Sequence, residues 1–228
     1  MPHRWKKSRK VLRFLRNTSG PSEKELQHLS SRHQPRDPSI HFECQKCGAC
    51  CQDEEIVVTL TTFDIARLSQ GLGLDTDGVL RAIDFYVVPE GEEIPEGLRD
   101  FPCIQTEQGP AYAALKKQSN GECIFLEDNL CMIHSIRPMA CRAFPFYFSV
   151  ENGTLHWGLN AKSDICPGLG TGPEVSREEL ERLGTEVTTV LNNHRAVVER
   201  WNETTKSPTA AGFIESILSF MFASSKKT

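Results

Sequence analysis

No stretch of this chain approaches the roughly 18 consecutive apolar residues that a membrane span needs. Val11-Leu12-Arg13-Phe14-Leu15 is too short and too basic to be the apolar segment of a secretory signal. Charge of one sign is also lacking. The 26 Lys and Arg against 30 Asp and Glu give a net charge of −4, without the basic surplus that nucleic-acid binders carry. No glycine-rich turn between a strand and a helix is present to cradle a nucleotide or S-adenosylmethionine, and there is no C-x3-C-x2-C triad of the radical type. No Ser–His–Asp or Cys–His arrangement stands out as hydrolase machinery. Internal repeats are absent, and low complexity is confined to the ends. These absences predict a cytoplasmic protein, or one of an organelle stroma or matrix if the source is eukaryotic, where thiols stay reduced.

What the chain does have is sulfur. Eight of its nine cysteines form a run, Cys44-x-x-Cys47-x-x-Cys50-Cys51, and a scattered set, Cys123, Cys131, Cys141 and Cys166. Four thiols within eight residues converge on one point at little loop-closure cost, which is what a metal or iron–sulfur centre requires. In a reducing compartment such a set reads as metal-binding or catalytic rather than as a disulfide framework. Thiolates are soft ligands, so they select zinc, copper(I) or iron–sulfur clusters over magnesium and calcium.

Two solutions of the cysteine count are open. Two four-cysteine zinc sites would use all eight thiols, whereas one [4Fe–4S] cubane would use four of them. The opening C-x2-C-x2-C and the remote Cys166-Pro167 echo the ferredoxin run and favour iron–sulfur, while zinc sites more often pair two C-x2-C knuckles. Neighbouring side chains diverge, so one of Cys50 and Cys51 is expected at the shared centre and the other facing elsewhere. Four thiolates around a [4Fe–4S]²⁺ core or a Zn²⁺ ion leave a net −2, which is costly to bury unless cations stand nearby. Arg137 and Arg142 are the candidates, with ordinary salt bridging as their other reading. His134 is read as a core histidine or a further ligand, His41 as a weaker ligand candidate, and Cys103 as a buried small hydrophobe.

The chain divides into a basic arm and linker over 1–39, a cysteine-cluster domain over 40–170, and a helical segment over 171–228 packed on that domain. Seven Lys or Arg precede the first acid, Glu23, so the arm is suited to anionic surfaces or, in a eukaryote, to organelle targeting. One turn of helix is expected around Glu23 to Leu29. The fold class predicted is α+β: a small irregular cysteine-rich core with short antiparallel strands, flanked by a long C-terminal helix. A strand is expected over Ile56–Leu60, then a helix from the capping box Thr61-x-x-Asp64 through Leu68, stopped by Gly71, and another helix over Asp77–Phe85. Val87–Pro102, with three prolines and two glycines, reads as an irregular excursion. Strands follow at Ala111–Lys116 and Cys123–Leu126, and Asn152-Gly153 signals a hairpin between Phe146–Val150 and Thr154–Leu159. Cys131 to Arg142 reads as a turn or short helix broken at Pro138. A second box, Ser176-x-x-Glu179, opens a helix with apolar residues from Leu180 to Trp201, and Phe213–Phe222 forms a last amphipathic helix.

Several motifs combine: Cys44-x-x-Cys47-Gly48-x-Cys50-Cys51, Gly121-x-Cys123-Ile124-Phe125-Leu126, Cys131-x-Ile133-His134-x-x-Arg137-Pro138-x-x-Cys141-Arg142-x-Phe144-Pro145, and Cys166-Pro167-Gly168. Over roughly Phe42 to Gly170 this pattern resembles the CxxCxxCC cysteine-cluster family, known as a zinc- or iron-chelating domain. The chain departs from it in carrying His134 where tyrosine is common. The resemblance implies a bound metal or iron–sulfur centre with Cys44, Cys47, Cys50, Cys51, Cys123, Cys131, Cys141 and Cys166 as ligands. The function expected is metal binding through an iron–sulfur cluster (4Fe-4S favoured), acting in electron transfer with an unidentified redox or protein partner or as cofactor to an unidentified reaction. The alternatives are a structural zinc protein that presents an interaction surface, or a protein lysine N-methylase-like enzyme, since the flagellin lysine N-methylases resemble the same cysteine pattern.

Overall fold

The computed structural model describes residues 39–87, 101–160 and 165–225, together with 3, 4, 10, 11, 91, 94 and 98. The expected linker, the helical turn near Glu23 and most of the irregular excursion lie outside the described residues. Among the described residues six α-helices succeed one another: α1 (Ala49–Gln52), α2 (Thr62–Leu72), α3 (Thr76–Ala82), α4 (Met139–Ala143), α5 (Arg177–Thr204) and α6 (Ala210–Ser225). They accompany short strands in small, mostly antiparallel sheets, so the class is α+β with a long C-terminal helix. No helix among the described residues is long and apolar enough to cross a membrane.

The largest sheet has four strands, in the order His3–Arg4, Ile83–Val87, Gly109–Leu115, Ile104–Thr106. Ile83–Val87 runs antiparallel to Gly109–Leu115, with Phe85 opposite Ala113 and Tyr86 opposite Tyr112. Here the structure differs from the expected helix over Asp77–Phe85, because α3 stops at Ala82. The β-branched and aromatic run Ile83, Phe85, Tyr86 and Val87 gains more from cross-strand pairing than from another helical turn. Ile56–Leu60 is likewise shorter as a strand, Ile56–Val57, and the rest hydrogen-bonds alongside Gly109–Leu115 through Leu60 N–H to Ala113 O at 2.9 Å. Helix α2 opens on the anticipated Thr61–Asp64 box but runs past Gly71 to Gly73, whose left-handed backbone supplies the cap. Cys123–Leu126 is a turn, held by the Gln118 side-chain amide donating to the carbonyls of Cys123 and Leu126. The Asn152-Gly153 turn has positive φ at both residues and joins Phe146–Glu151 to Thr154–Leu159 as a hairpin.

Helix α5 begins at the Ser176–Glu179 box and buries Leu180, Val187, Val190, Leu191, His194 and Val198 along one face. Gly184 lets it settle onto the hairpin, since a Cβ there would come within 2.6 Å of Phe148 and Leu155. Its far end is tied to the sheet edge, with Trp201 Nε1–H donating to Gln105 O and the Asn202 amide to Cys103 O. Cys103, read as a buried small hydrophobe, is half-buried there and packs against the hydrophobic core.

His194 carries a pH consequence. It is fully buried, accepts the Thr62 N–H at Nδ1 (3.2 Å), and stacks obliquely on Phe101 at 4.8 Å. Burial pushes its pKa down from 6.5 to about 3. The unfolded chain then binds the extra proton between those values, so His194's contribution is complete above about pH 6.5 and drains away as pH falls toward 3. The slope is about 1.4 kcal/mol per pH unit in that window. Buried Asp64, whose carboxyl burial pushes upward, acts with the opposite sign. The difference in denaturant-unfolding free energy between wild type and His194→Gln, taken at pH 7 and pH 5, isolates the histidine. It should narrow by about 2 kcal/mol at the lower pH.

Candidate metal centre

Gly48 begins the site. Its φ of 74° turns the chain into α1, and its carbonyl accepts the N–H groups of Cys51 (2.8 Å) and Gln52 (3.0 Å). A Cβ at Gly48 would lie 2.6 Å from Asn129 O, so glycine allows α1 to press against the small hairpin Leu126–Glu127 and Leu130–Cys131. That contact, with the Gln52 amide donating to Asn129 Oδ1 (2.6 Å), brings Cys50 and Cys51 to Cys131. The Cys123 N–H donates to Cys51 O at 2.8 Å and adds a third segment. The fourth arrives on α4, which carries Cys141 and starts directly after Pro138. Its first N–H, from Met139, is accepted by Asp64 Oδ1 at 2.8 Å, while Asp64 Oδ2 accepts the Thr61 N–H and hydroxyl. One buried carboxylate therefore caps α2 and also moors the helix that bears Cys141.

These segments enclose a hollow of about 20 Å³ bordered by Cys50, Cys51, Cys123, Cys131 and Cys141, with Arg137 and Lys117 among its other walls. Both members of the Cys50–Cys51 pair border it. The expected divergence, with one of them facing elsewhere, is absent because the two side chains of α1 flank the same small space. Cys51 is the common neighbour: its thiol lies within hydrogen-bonding reach of Cys123, Cys131 and Cys50. Donation from Cys51 lowers the pKa of Cys50 to about 7 and of Cys131 to about 6, and lowers that of Cys123. Cys51 holds its own proton correspondingly tightly. Cys141, half-buried as a residue, has its thiol pushed well up by desolvation.

The other three thiols of the expected set stand outside this hollow. Cys44 and Cys47 are exposed, and Cys166 is half-buried at the start of the turn closed by Leu169 N–H to Cys166 O. Cys44 Sγ lies 3.8 Å from His134 Nε2 and 3.6 Å from Arg137 Nη1. His134 is only partly buried and keeps this sulfur neighbour, so it is not a core histidine. His41 is exposed, with its ring against the Gly172 carbonyl. Among the described residues, no three His, Cys, Asp or Glu side chains already stand in metal-coordinating geometry.

Of the two arginines read as counter-charges, only Arg137 faces the sulfurs. Arg142 makes a two-pronged ion pair with Glu186 of α5, with Nη2 to Oε2 at 2.9 Å, and is the salt bridge of its alternative reading. A carboxylate 44 positions along the chain outcompetes thiols in geometric fit to a planar guanidinium. Lys117, which no sequence signal singled out, donates to Asp53 O at 2.8 Å while lining the hollow.

The donor set suits a soft or borderline-soft cation: five thiols, several of them readily ionised by their neighbours, with an arginine at the rim. About 20 Å³ is room for one water-sized body, which is also the scale of one metal ion.

Comparison with known proteins agrees. Residues 43–167 match the CxxCxxCC family, described as "putative zinc- or iron-chelating domain". An uncharacterised protein of Methanocaldococcus jannaschii is 29% identical over 168 residues, covering 70% of this chain and 75% of that protein. No solved structure matches. With more than half of its length matched to that pattern, the chain belongs to the CxxCxxCC family.

Proposed function

We propose that the chain is a metalloprotein in which thiolates bordering the buried hollow hold a single zinc or iron ion. The observation that carries this reading is the meeting of five thiols from four chain segments around an ion-sized space. Cys51, as the common neighbour, and Cys123 and Cys131 beside it are three of the four donors of a tetrahedral set. Cys50 or Cys141 is the fourth. A divalent cation would take the place of the protons these thiols share and act there as a cross-link or an electrophile. Arg137 offsets the residual negative charge from the rim, which lowers the cost of burying it.

An iron–sulfur cluster that exchanges electrons with a redox partner is the second reading. The C-x2-C-x2-C spacing and Cys166-Pro167 favour it. Against it stand the size of the hollow and the exposure of Cys44 and Cys47 outside it. The lysine N-methylase-like alternative has no nucleotide-cradling turn to support it.

Protein purified without oxygen, then analysed for metals and acid-labile sulfide with its visible spectrum recorded, separates these readings. Zinc or iron without sulfide supports the single-ion centre. Brown protein with iron and sulfide in equal amounts replaces it with a cluster, and protein free of both metals after loading removes both.

A further inference from the structure

Helix α4 borders two spaces. Cys141 faces the thiol-lined hollow, the inner centre, while the next residue, Arg142, borders a cavity of about 320 Å³ beside the first turns of α5. No residue borders both. One wall of this cavity is apolar, made by Phe42, Phe146, Val175, Leu180 and Leu183. Phe146 and Leu180 are buried, and Phe146 meets the half-buried Phe42 edge to face at 5.6 Å. The Val175 N–H donates to Ile40 O at 2.8 Å, which fixes the end of the strand Leu169–Glu174 along that wall. A further ring or a branched aliphatic group gains from such a surface.

Five charged groups also border the cavity, and three of them are already engaged. Arg142 and Glu186 neutralise one another in their two-pronged pair, and Glu179 accepts the N–H and hydroxyl of Ser176 in the capping box. Glu174 and Arg182 remain. Both are exposed, and neither makes a hydrogen bond or ion pair among the described residues. One spare anion and one spare cation therefore flank an apolar wall. A phosphorylated ligand is disfavoured there, because three carboxylates face it against two guanidinium groups, one of them committed. A wholly apolar ligand draws nothing from either spare charge. The charges match a ligand that carries one of each sign.

We propose that this cavity is a binding site for a free α-amino acid with an aliphatic or aromatic side chain. Its ammonium group faces Glu174, its carboxylate takes the planar fork of Arg182, and its side chain lies on Phe42, Phe146, Leu180 and Leu183. The volume is at the lower end of the roughly 300–1,000 Å³ usual for small-molecule sites, which suits one amino acid rather than a run of them. The proposal stands apart from the reading of the thiols.

Its test is calorimetric titration of the full-length, metal-loaded chain with L-phenylalanine, L-leucine and glycine, and with two partial ligands. 3-Phenylpropionate lacks the ammonium group, and phenethylamine lacks the carboxylate. L-Phenylalanine and L-leucine should bind one per chain, and glycine roughly ten- to hundredfold more weakly, since it buries no side chain. Arg182→Gln and Glu174→Gln, both at exposed positions, should each weaken L-phenylalanine by roughly ten- to hundredfold. Arg182→Gln should weaken 3-phenylpropionate and spare phenethylamine; Glu174→Gln should do the reverse. Circular dichroism of both variants should match wild type. Absence of binding by L-phenylalanine and L-leucine at millimolar concentration overturns the proposal, as does binding that both variants leave unchanged. A variant that weakens the two partial ligands alike overturns the placement of the charges.

Discussion

Replacing Cys51 by serine is expected to strip the chain of its tightly held metal. Thiolate sites of structural type bind zinc with about 10–16 kcal/mol, so one donor in four is worth roughly 3 kcal/mol, more than a hundredfold in Kd. Cys51 should exceed that share, because Cys50, Cys123 and Cys131 all meet at its sulfur. A hydroxyl in its place is a harder donor that keeps its proton at neutral pH. Competition against a chromophoric chelator measures the loss. Cys103→Ser is the control: that residue, whose backbone carbonyl accepts from Asn202 at the sheet edge, does not border the hollow, and its replacement should leave metal affinity within a factor of about two. Equal affinities for the Cys51→Ser and Cys103→Ser proteins would remove the inner centre.

The second large effect belongs to a residue that is not itself a thiol donor. Asp64→Ala should destabilise the fold by about 3–5 kcal/mol, because it leaves the buried N–H groups of Met139 and Thr61 without their acceptor at once. Asp64→Asn keeps one carbonyl oxygen and should lose about half as much. Guanidinium unfolding at neutral pH reads the difference. The carboxylate also positions the start of α4, so the alanine variant should weaken metal binding through Cys141's helix while every thiol remains in the chain. A loss of stability confined to α2, with the corner around Pro138 unaffected, would show that Asp64 is only a local cap.

Local chemistry was readable in advance wherever a few neighbouring residues decide the outcome. Thr61 with Asp64, Ser176 with Glu179, and Asn152-Gly153 each close their own hydrogen bonds within about three positions, and all three formed where their residue types demand. The long helix followed from its apolar spacing. Ile83–Val87 was harder, because a short apolar run satisfies a helix or a strand until its partner, Gly109–Leu115, is known. The sorting of the cysteines was harder still. Spacing grouped Cys44, Cys47, Cys50 and Cys51, yet α1 carries the last two inward while the first two stay at the surface. That division depends on Gly48 meeting Asn129 and on Glu43 meeting Gly168, contacts between segments about 80 and 125 residues apart. The allegiance of Arg142 to Glu186, and the second duty of Asp64 at Met139, are invisible for the same reason.

Helix α5 has 28 residues, about 42 Å of rod, and is bound at three stations: Glu186 to Arg142, His194 to Thr62, and Trp201 with Asn202 to the strand edge at 103–105. It works as a splint across pieces that have few regular contacts of their own. The heritable pattern of the family ends at residue 167, but cooperative folding does not end there. A fragment cut at that boundary would keep all eight clustered cysteines, bare Phe148 and Val198's seat to water, and release the short helix on which Cys141 rides. Such a piece should precipitate or scavenge metals indiscriminately, so the portion that the family pattern covers draws its rigidity from a portion outside the match.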